Sequence, residues 1–263
     1  MLILLPPSEG KTAAPTGTAM NLTELAFPGL LEPRLKVLEA LSEVSAHPEA
    51  LDKLGVGASL VAEIARNTRL KEEPAAPASS IYSGVLYDAL GYSRMTPLQR
   101  RRAEESIVVI SALWGAVRLT DRIPAYRLSM SVGLPKLGRL AAFWKPHLNE
   151  SLSAAAGEQL IVDCRSSTYS AAWTPPAERT VEVNVFQERQ GKRTVVSHFA
   201  KHTRGELAGL LLRRRGAAPT NPQQLLKVAQ QHFTAELVPG TAKRPSSLNL
   251  VLEKGISFAK SKV

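Results

Sequence analysis

The sequence predicts a mixed α/β (α+β) fold, a mixed sheet surrounded by helices. Two short apolar runs, residues 2–5 and 107–110, read as buried strands, because an apolar run without alternation marks a strand covered on both faces. Stretches with helical apolar spacing separate and follow them, and residues 180–196 carry a hairpin pattern. Strands and helices mix without a regular β-α-β rhythm, which argues for a mixed sheet rather than a purely parallel one. The 263 residues suffice for one large domain or two modest ones.

Taken in order, the first strand is stopped by Pro6-Pro7, which cannot continue a hydrogen-bonded ladder. Residues 13–30 read as loop, with Pro15, Gly17, Pro28 and Gly29. Leu35, Leu38, Leu41 and Val44 fall on one stripe, predicting a helix over 34–45. The segment "KEEPAAPASS" at 71–80 reads as a linker. Residues 82–90 read as helix, 107–110 as a β-branched strand, 141–156 as helix and 160–162 as strand. Val181, Val183 and Val185 alternate, Gln190-Gly191 supplies a turn, and 194–196 returns. Helices are expected over 200–215 and 222–234, separated by "GAAPTNP". Residues 248–252 form a last candidate strand, and the Lys-rich end is expected to fray.

The net charge of +10 favours polyanionic partners: nucleic acid, phosphorylated ligands or an acidic membrane surface. The single cysteine, Cys164, excludes an intrachain disulfide and fits a reducing compartment. The opening "MLILLPPSEGK" is too short and uncharged for a secretory leader, and no run approaches the roughly 18 apolar residues of a spanning helix. A cytoplasmic protein with no membrane partner is expected.

"SEGKT" at 8–12 has the look of a phosphate-binding loop after a strand. The motif needs a glycine five positions before its Gly-Lys pair, and Leu5 stands there, so an NTPase reading is rejected. "LGVGASLVAEIARN" at 54–67 is more informative. Two short helices joined by an apolar-Gly-apolar-Gly turn make a helix-hairpin-helix, here expected about residues 46–70. In it Gly55, Val56, Gly57 and Ser59 would approach a DNA phosphate, with Arg66, Arg69 and Lys71 following. Such an element reads no bases. A glycine-capped helix packed on the next one is the equally available structural reading.

"SALWGAVRLTDRIPAYRLSM" at 111–130 places Arg118, Asp121, Tyr126 and Arg127 after a buried strand. "HFAKHTRG" at 198–205 places Lys201 and Arg204 three apart on one helical face. Together with "LILLPPSEGK" and "IYSGVLYDAL", these motifs resemble the YaaA peroxide-stress protein family. Its Ser-x-Leu-(Tyr/Trp)-Gly-x-x-Arg-x-x-Asp…Tyr-Arg-Leu-x-Met pattern is met by Ser111, Leu113, Trp114, Gly115, Arg118, Asp121, Tyr126, Arg127, Leu128 and Met130. Its Ala-Lys-x-x-Arg-Gly signature is met by Lys201, Arg204 and Gly205. Leu119, Ala125, Ser129 and the "DCRSSTY" segment with Asp163 and Arg165 depart from it.

The resemblance covers nearly the whole chain. It implies a single YaaA-like domain over 1–263, compact and mixed, with a helix-hairpin-helix and a positive cleft. It also implies binding of double-stranded DNA and a role in limiting iron-driven oxidative DNA damage; bent or branched duplexes are included among the partners expected here. No cofactor is expected.

Lys11, Arg118, Arg127, Lys201 and Arg204 are expected to converge in one basic cleft with Asp121 and Tyr126, because unpaired cations cannot sit in a core. The alternative is an internal ion-pair network of Arg118, Asp121 and Arg127. His198 and His202 lack a third ligand, so no transition metal is expected. Cys164 reads as a core residue, with a pKa lowered by Arg165 as the alternative. A Lys/Arg/Tyr cleft also suits an enzyme acting on a nucleotide or other phosphorylated small molecule. An iron-linked interaction protein without a nucleic-acid role is the third class.

Overall fold

The computed structural model describes residues 1–189, 192–195 and 197–252. Strand β1 (Leu2–Leu5) leads through irregular chain to helix α1 (Leu31–Ser45) and the short helices α2 (Ala50–Leu54) and α3 (Val61–Asn67). Strand β2 (Ala76–Pro77) and helices α4 (Ala78–Ile81), α5 (Val85–Leu90) and α6 (Pro97–Ser106) precede β3 (Ile107–Ser111), β4 (Gly115–Val117) and β5 (Arg122–Ile123). A small pair, β6 (Gly133–Leu134) and β7 (Gly138–Arg139), introduces α7 (Leu140–Ala156), β8 (Ile161–Asp163) and α8 (Ser167–Ser170). Then follow β9 (Thr180–Arg189), β10 (Lys192–Val195), α9 (Ser197–Arg213), α10 (Pro222–Ala229), β11 (Thr234–Val238) and β12 (Ser246–Leu252).

The central sheet runs β11-β12-β9-β8-β1-β3-β4, with β10 paired to β9. The strands from β12 to β3 are mutually parallel, while β11, β4 and β10 pair antiparallel. The mixed sheet expected from the sequence is therefore present. Every residue of β1 and β3 is buried, which is why both read as uninterrupted apolar runs. From β1 the chain crosses to β3 on one side, and later to β8 on the other. The strand order thus reverses beside β1, and the loops leaving β1 and β8 diverge there. Crevices at such reversals are where open α/β sheets bind ligands.

Glycines set two close approaches. A Cβ at Gly115 would lie 2.6 Å from the ring of Trp144 on α7, so only glycine lets β4 pass beneath that indole. A Cβ at Gly205 would overlap the Leu86 carbonyl oxygen, and one at Gly209 would lie 2.6 Å from the Leu90 carbonyl oxygen. These two glycines let α9 press onto α5, which fixes the height of Lys201 and Arg204 over the sheet.

Several boundaries differ from expectation. The 71–80 segment is not a linker: β2 pairs with β5, and Ala75, Ala78 and Ile81 are buried. The small side chains that resemble a spacer in sequence allow close packing here. Helix α5 starts at Val85 rather than residue 82, because Gly84 takes φ +89° and breaks the turn. The 222–234 helix ends at Ala229, and Thr234 begins the edge strand β11. Helix α9 begins at Ser197, so residues 198 and 202 share it instead of straddling a strand–helix junction. The Gln190-Gly191 turn and the Lys-rich end lie outside the described residues. Among the described residues no helix is long and apolar enough to cross a membrane.

Candidate functional site

A cleft of about 510 Å³ opens where the loops after β1 and β8 part. Its floor includes Pro6–Glu9 and Cys164, and one wall is the turn at Gly55 and Val56. Arg127, Lys201 and Arg204 come in from the side. Four cations, counting Lys53, face two carboxylates, Glu9 and Asp52. The cleft thus carries excess positive charge.

The loop after β1 is organised by cations. The Glu9 carbonyl accepts from Arg127 Nη1 at 3.1 Å and from Lys11 Nζ at 3.3 Å. The Glu9 carboxylate accepts from Lys201 Nζ at 2.9 Å, and that ammonium holds its pKa below the usual carboxylate range. Glu9 is thus an internal anion set among the cations, and it projects into solvent with its side chain 74% exposed. Arg127 also lies 3.9 Å from Glu63. Arg204 donates from Nε to the Val183 carbonyl at 3.0 Å, which orients its guanidinium along the cleft wall.

Arg127 is fixed by its backbone. The buried Asn67 side chain accepts from the Arg127 N–H at 2.9 Å and donates to its carbonyl at 2.8 Å. The same amide donates to Ser45 Oγ at 3.3 Å. One side chain at the end of α3 therefore acts as a strand partner for residue 127, tying the two-helix unit to the cleft. Neither Asn67 nor Glu9 was singled out from the sequence. Their one signal is position: a Ser-Glu pair in the loop after a buried strand, and an asparagine that ends a helix.

The turn itself has a simple physical basis. Gly55 adopts φ +64°, the Val56 N–H donates to the Leu51 carbonyl, and the Gly55 N–H donates to the Asp52 carbonyl. This is a Schellman cap, and it requires a left-handed residue after α2. Gly57 has φ −78°, and a Cβ there would meet nothing within 4 Å, so the fold does not require glycine at 57. Ser59 is exposed. Arg66 and Arg69 both pair with Glu73, at 3.5 and 3.4 Å.

The expected constellation is only partly assembled. Arg127, Lys201 and Arg204 meet in the cleft, but Lys11, Tyr126, Arg118 and Asp121 do not line it. Lys11 folds back over the Tyr126 ring, 4.2 Å from its centroid, and donates to the Ser8 carbonyl at 2.8 Å. Burial, helped by Arg127, pushes its pKa down to about 7. Tyr126 is buried, with its hydroxyl 2.7 Å from Ser111 Oγ and 3.1 Å from the Tyr82 hydroxyl, so it cannot stack on a base.

Asp121 serves backbone amides instead. Its carboxylate accepts from Ala26 N at 3.0 Å and Arg118 N at 2.9 Å. Arg118 itself donates to the Glu105 and Ile107 carbonyls, at the opposite end of β3 from Ser111. The polar residues after this buried strand, expected to line a cleft, instead close irregular backbone around it. Asp163 pairs with buried Arg165 at 2.6 Å rather than with a cleft cation. Burial pushes the Cys164 thiol up to about 12, outweighing the opposing pull of Arg204, so no activation by Arg165 follows. Tyr169, at the cleft edge, is likewise pushed up to about 12 by burial. Among the described residues no group of three or more His, Cys, Asp or Glu is placed to hold a metal ion.

What this arrangement can do is bind an anion. Guanidinium and ammonium donors converge from separate elements on a concave surface, and arginine suits phosphate oxygens through its paired N–H donors. The family model described as peroxide stress protein YaaA matches residues 1–236. A UPF0246 protein of Streptomyces coelicolor is 44% identical, over 97% of this chain and 99% of that protein. A UPF0246 protein of Corynebacterium efficiens is 40% identical, over 80% of this chain and 84% of that protein. An uncharacterized protein of Campylobacter jejuni is 29% identical over 80% of this chain.

Proposed function

From the premise that this chain belongs to the peroxide stress protein YaaA family, we propose that it serves the peroxide-stress response by binding double-stranded DNA. Binding has little sequence preference and helps limit iron-driven oxidative damage to DNA. Phosphates of the duplex are held by Arg127, Lys201 and Arg204, with the turn at Gly55, Val56 and Gly57 against the neighbouring backbone.

One observation carries this reading. The glycine turn and the three cations are distant in sequence, yet they line one cleft. A packing turn has no need to face a cation cluster, while a backbone-binding turn does. The turn's open side agrees, because among the described residues nothing beyond the immediate chain neighbours stands within 4 Å of a Cβ at Gly55 or Gly57. Arg66 and Arg69, paired to Glu73, have a smaller part in the reading than the sequence alone suggested.

The reversal of strand order at the cleft favours a second reading, an enzyme for a nucleotide or other phosphorylated small molecule. The two differ in their response to length and salt. DNA affinity should rise with duplex length and fall linearly in a plot of log K against log salt. A mononucleotide should leave the melting temperature unchanged under the first reading and raise it under the second. Fluorescence anisotropy with duplexes of increasing length, run beside a mononucleotide thermal-shift series, separates them. Stabilisation by the mononucleotide without length-dependent DNA binding would replace the DNA reading by the enzyme reading.

A further inference from the structure

The cleft continues beyond its three cations. A small hollow of about 160 Å³ shares Pro6–Glu9, Leu86 and Lys201 with it. That hollow in turn shares Ser83 and Tyr87 with a third, of about 690 Å³. The three hollows therefore adjoin in series, from the cleft by way of Gly10 and Gly84 to the corner between α5 and α6. The far hollow is lined by Arg94, Arg100, Tyr92 and several serines, with Asp88 the one lining carboxylate among the described residues.

The arginines at this corner sort into distinct roles. Two Arg-Arg-Arg runs, residues 100–102 and 213–215, meet where α6 packs on α9. Arg102 donates to the Arg214 carbonyl and Arg213 to the Leu90 carbonyl, which satisfies carbonyls at helix ends. Arg101 pairs with Glu105 at 3.0 Å. Arg94 and Arg100 are exposed; among the described residues their guanidinium groups donate to the carbonyls of Asp88 and Ser93, and Arg100 lies 5.8 Å from the Tyr92 ring centroid. Arg94 also crowds Arg213: a Cβ at Gly91 would lie 2.8 Å from one guanidinium and 3.2 Å from the other. Glu206 acts on Arg213 as a counter-charge, but the two like charges over one glycine remain an arrangement that a bound anion would relieve.

We infer that Arg94 and Arg100 form a second phosphate-binding point, so that one sugar-phosphate strand of a duplex runs from the glycine turn, past Arg127, Lys201 and Arg204, to the α5–α6 corner. This rests on the DNA reading of the cleft and extends it. The serines along the far hollow supply neutral donors for phosphate oxygens, and the glycines at 10 and 84 keep the middle of the path open. Phosphate contacts of this kind position a duplex without reading its sequence.

The test is anisotropy with a duplex of about one helical turn and another of about three turns, over a salt series. Three proteins are compared: the unaltered chain, Arg94→Gln/Arg100→Gln, and Arg101→Gln/Arg215→Gln. The last pair removes the same charge from exposed residues that do not line the groove. The groove predicts that Arg94→Gln/Arg100→Gln weakens the long duplex several-fold and lowers its salt slope by roughly 2. The short duplex, held at the cleft, keeps most of its affinity, and the control pair tracks the unaltered protein. Equal losses in both variants mean general charge only, and overturn the second point while leaving the cleft intact. No loss in either variant does the same. Absence of DNA binding by the unaltered protein overturns the cleft reading and the groove together.

Discussion

Replacing Asn67 by alanine separates the positioning of Arg127 from its charge. The substitution deletes three hydrogen bonds, two part-buried ones to the Arg127 N–H and carbonyl and a buried one to Ser45 Oγ. At about 1 kcal/mol net each, the loss is roughly 3 kcal/mol. For a chain of this size that lowers the melting temperature by roughly 6–12 °C. Arg127→Ala behaves differently. It removes a 3.9 Å contact to Glu63 and one hydrogen bond to the Glu9 carbonyl but leaves the backbone tether in place. Its stability cost is below about 1 kcal/mol. Both variants weaken DNA binding, Asn67→Ala by releasing the segment and Arg127→Ala by deleting the donor. Thermal melting paired with anisotropy well below the melting point reads both effects. If Asn67→Ala melts within about 2 °C of the unaltered protein, or keeps full affinity, the tether does not hold Arg127 as argued.

Four further outcomes follow from particular contacts. Arg34 is wholly buried and donates to the Trp114, Ala26 and Ala116 carbonyls, so Arg34→Met should destabilise the protein by about 3–5 kcal/mol in urea denaturation. Gly205→Ala drives a methyl into the Leu86 carbonyl and should cost about 1–3 kcal/mol or more, with lower DNA affinity because Lys201 and Arg204 move with α9. Gly57→Asp should leave circular dichroism and melting unchanged, since residue 57 has ordinary φ and open space, while salt-sensitive DNA binding is lost; retained binding removes the turn from the interface.

Lys11 has a depressed pKa of about 7. Between about 7 and the unfolded value the unfolded chain binds the extra proton, so stability rises with pH across that window. The deficit of the unaltered protein relative to Lys11→Met should therefore narrow as pH rises above 7, as checked by paired melts.

How far the sequence was legible follows from the range of the interactions involved. Strands β1 and β3 were readable because burial on both faces writes a continuous apolar run. Strands β2, β4 and β5 were not, because two or three residues carry no period, and their pairing is decided by distant chain. The small side chains that let residues 71–80 pack closely look like a spacer until the partner strand is known. Arg127, Lys201, Arg204 and the glycine turn were legible as residues worth naming, and their convergence needed the sheet's reversal beside β1. Arg118 and Asp121 were misplaced because a carboxylate that caps backbone amides and one that meets a ligand look alike in sequence. Glu9 and Asn67 were missed for the converse reason, since their importance lies in single partners far along the chain.

Under the proposed function, Arg127, Lys201 and Arg204 hold DNA phosphates. Its most direct test is the salt dependence of duplex affinity in Arg127→Ala/Lys201→Ala/Arg204→Ala beside the unaltered protein, each first shown to be folded. Phosphate binding by these three residues predicts a linear decline of log K with log salt for the unaltered protein, and a slope shallower by about 2.7 in the variant, from three lost phosphate contacts. Equal slopes and affinities in the two proteins would contradict it and remove the cleft from DNA binding.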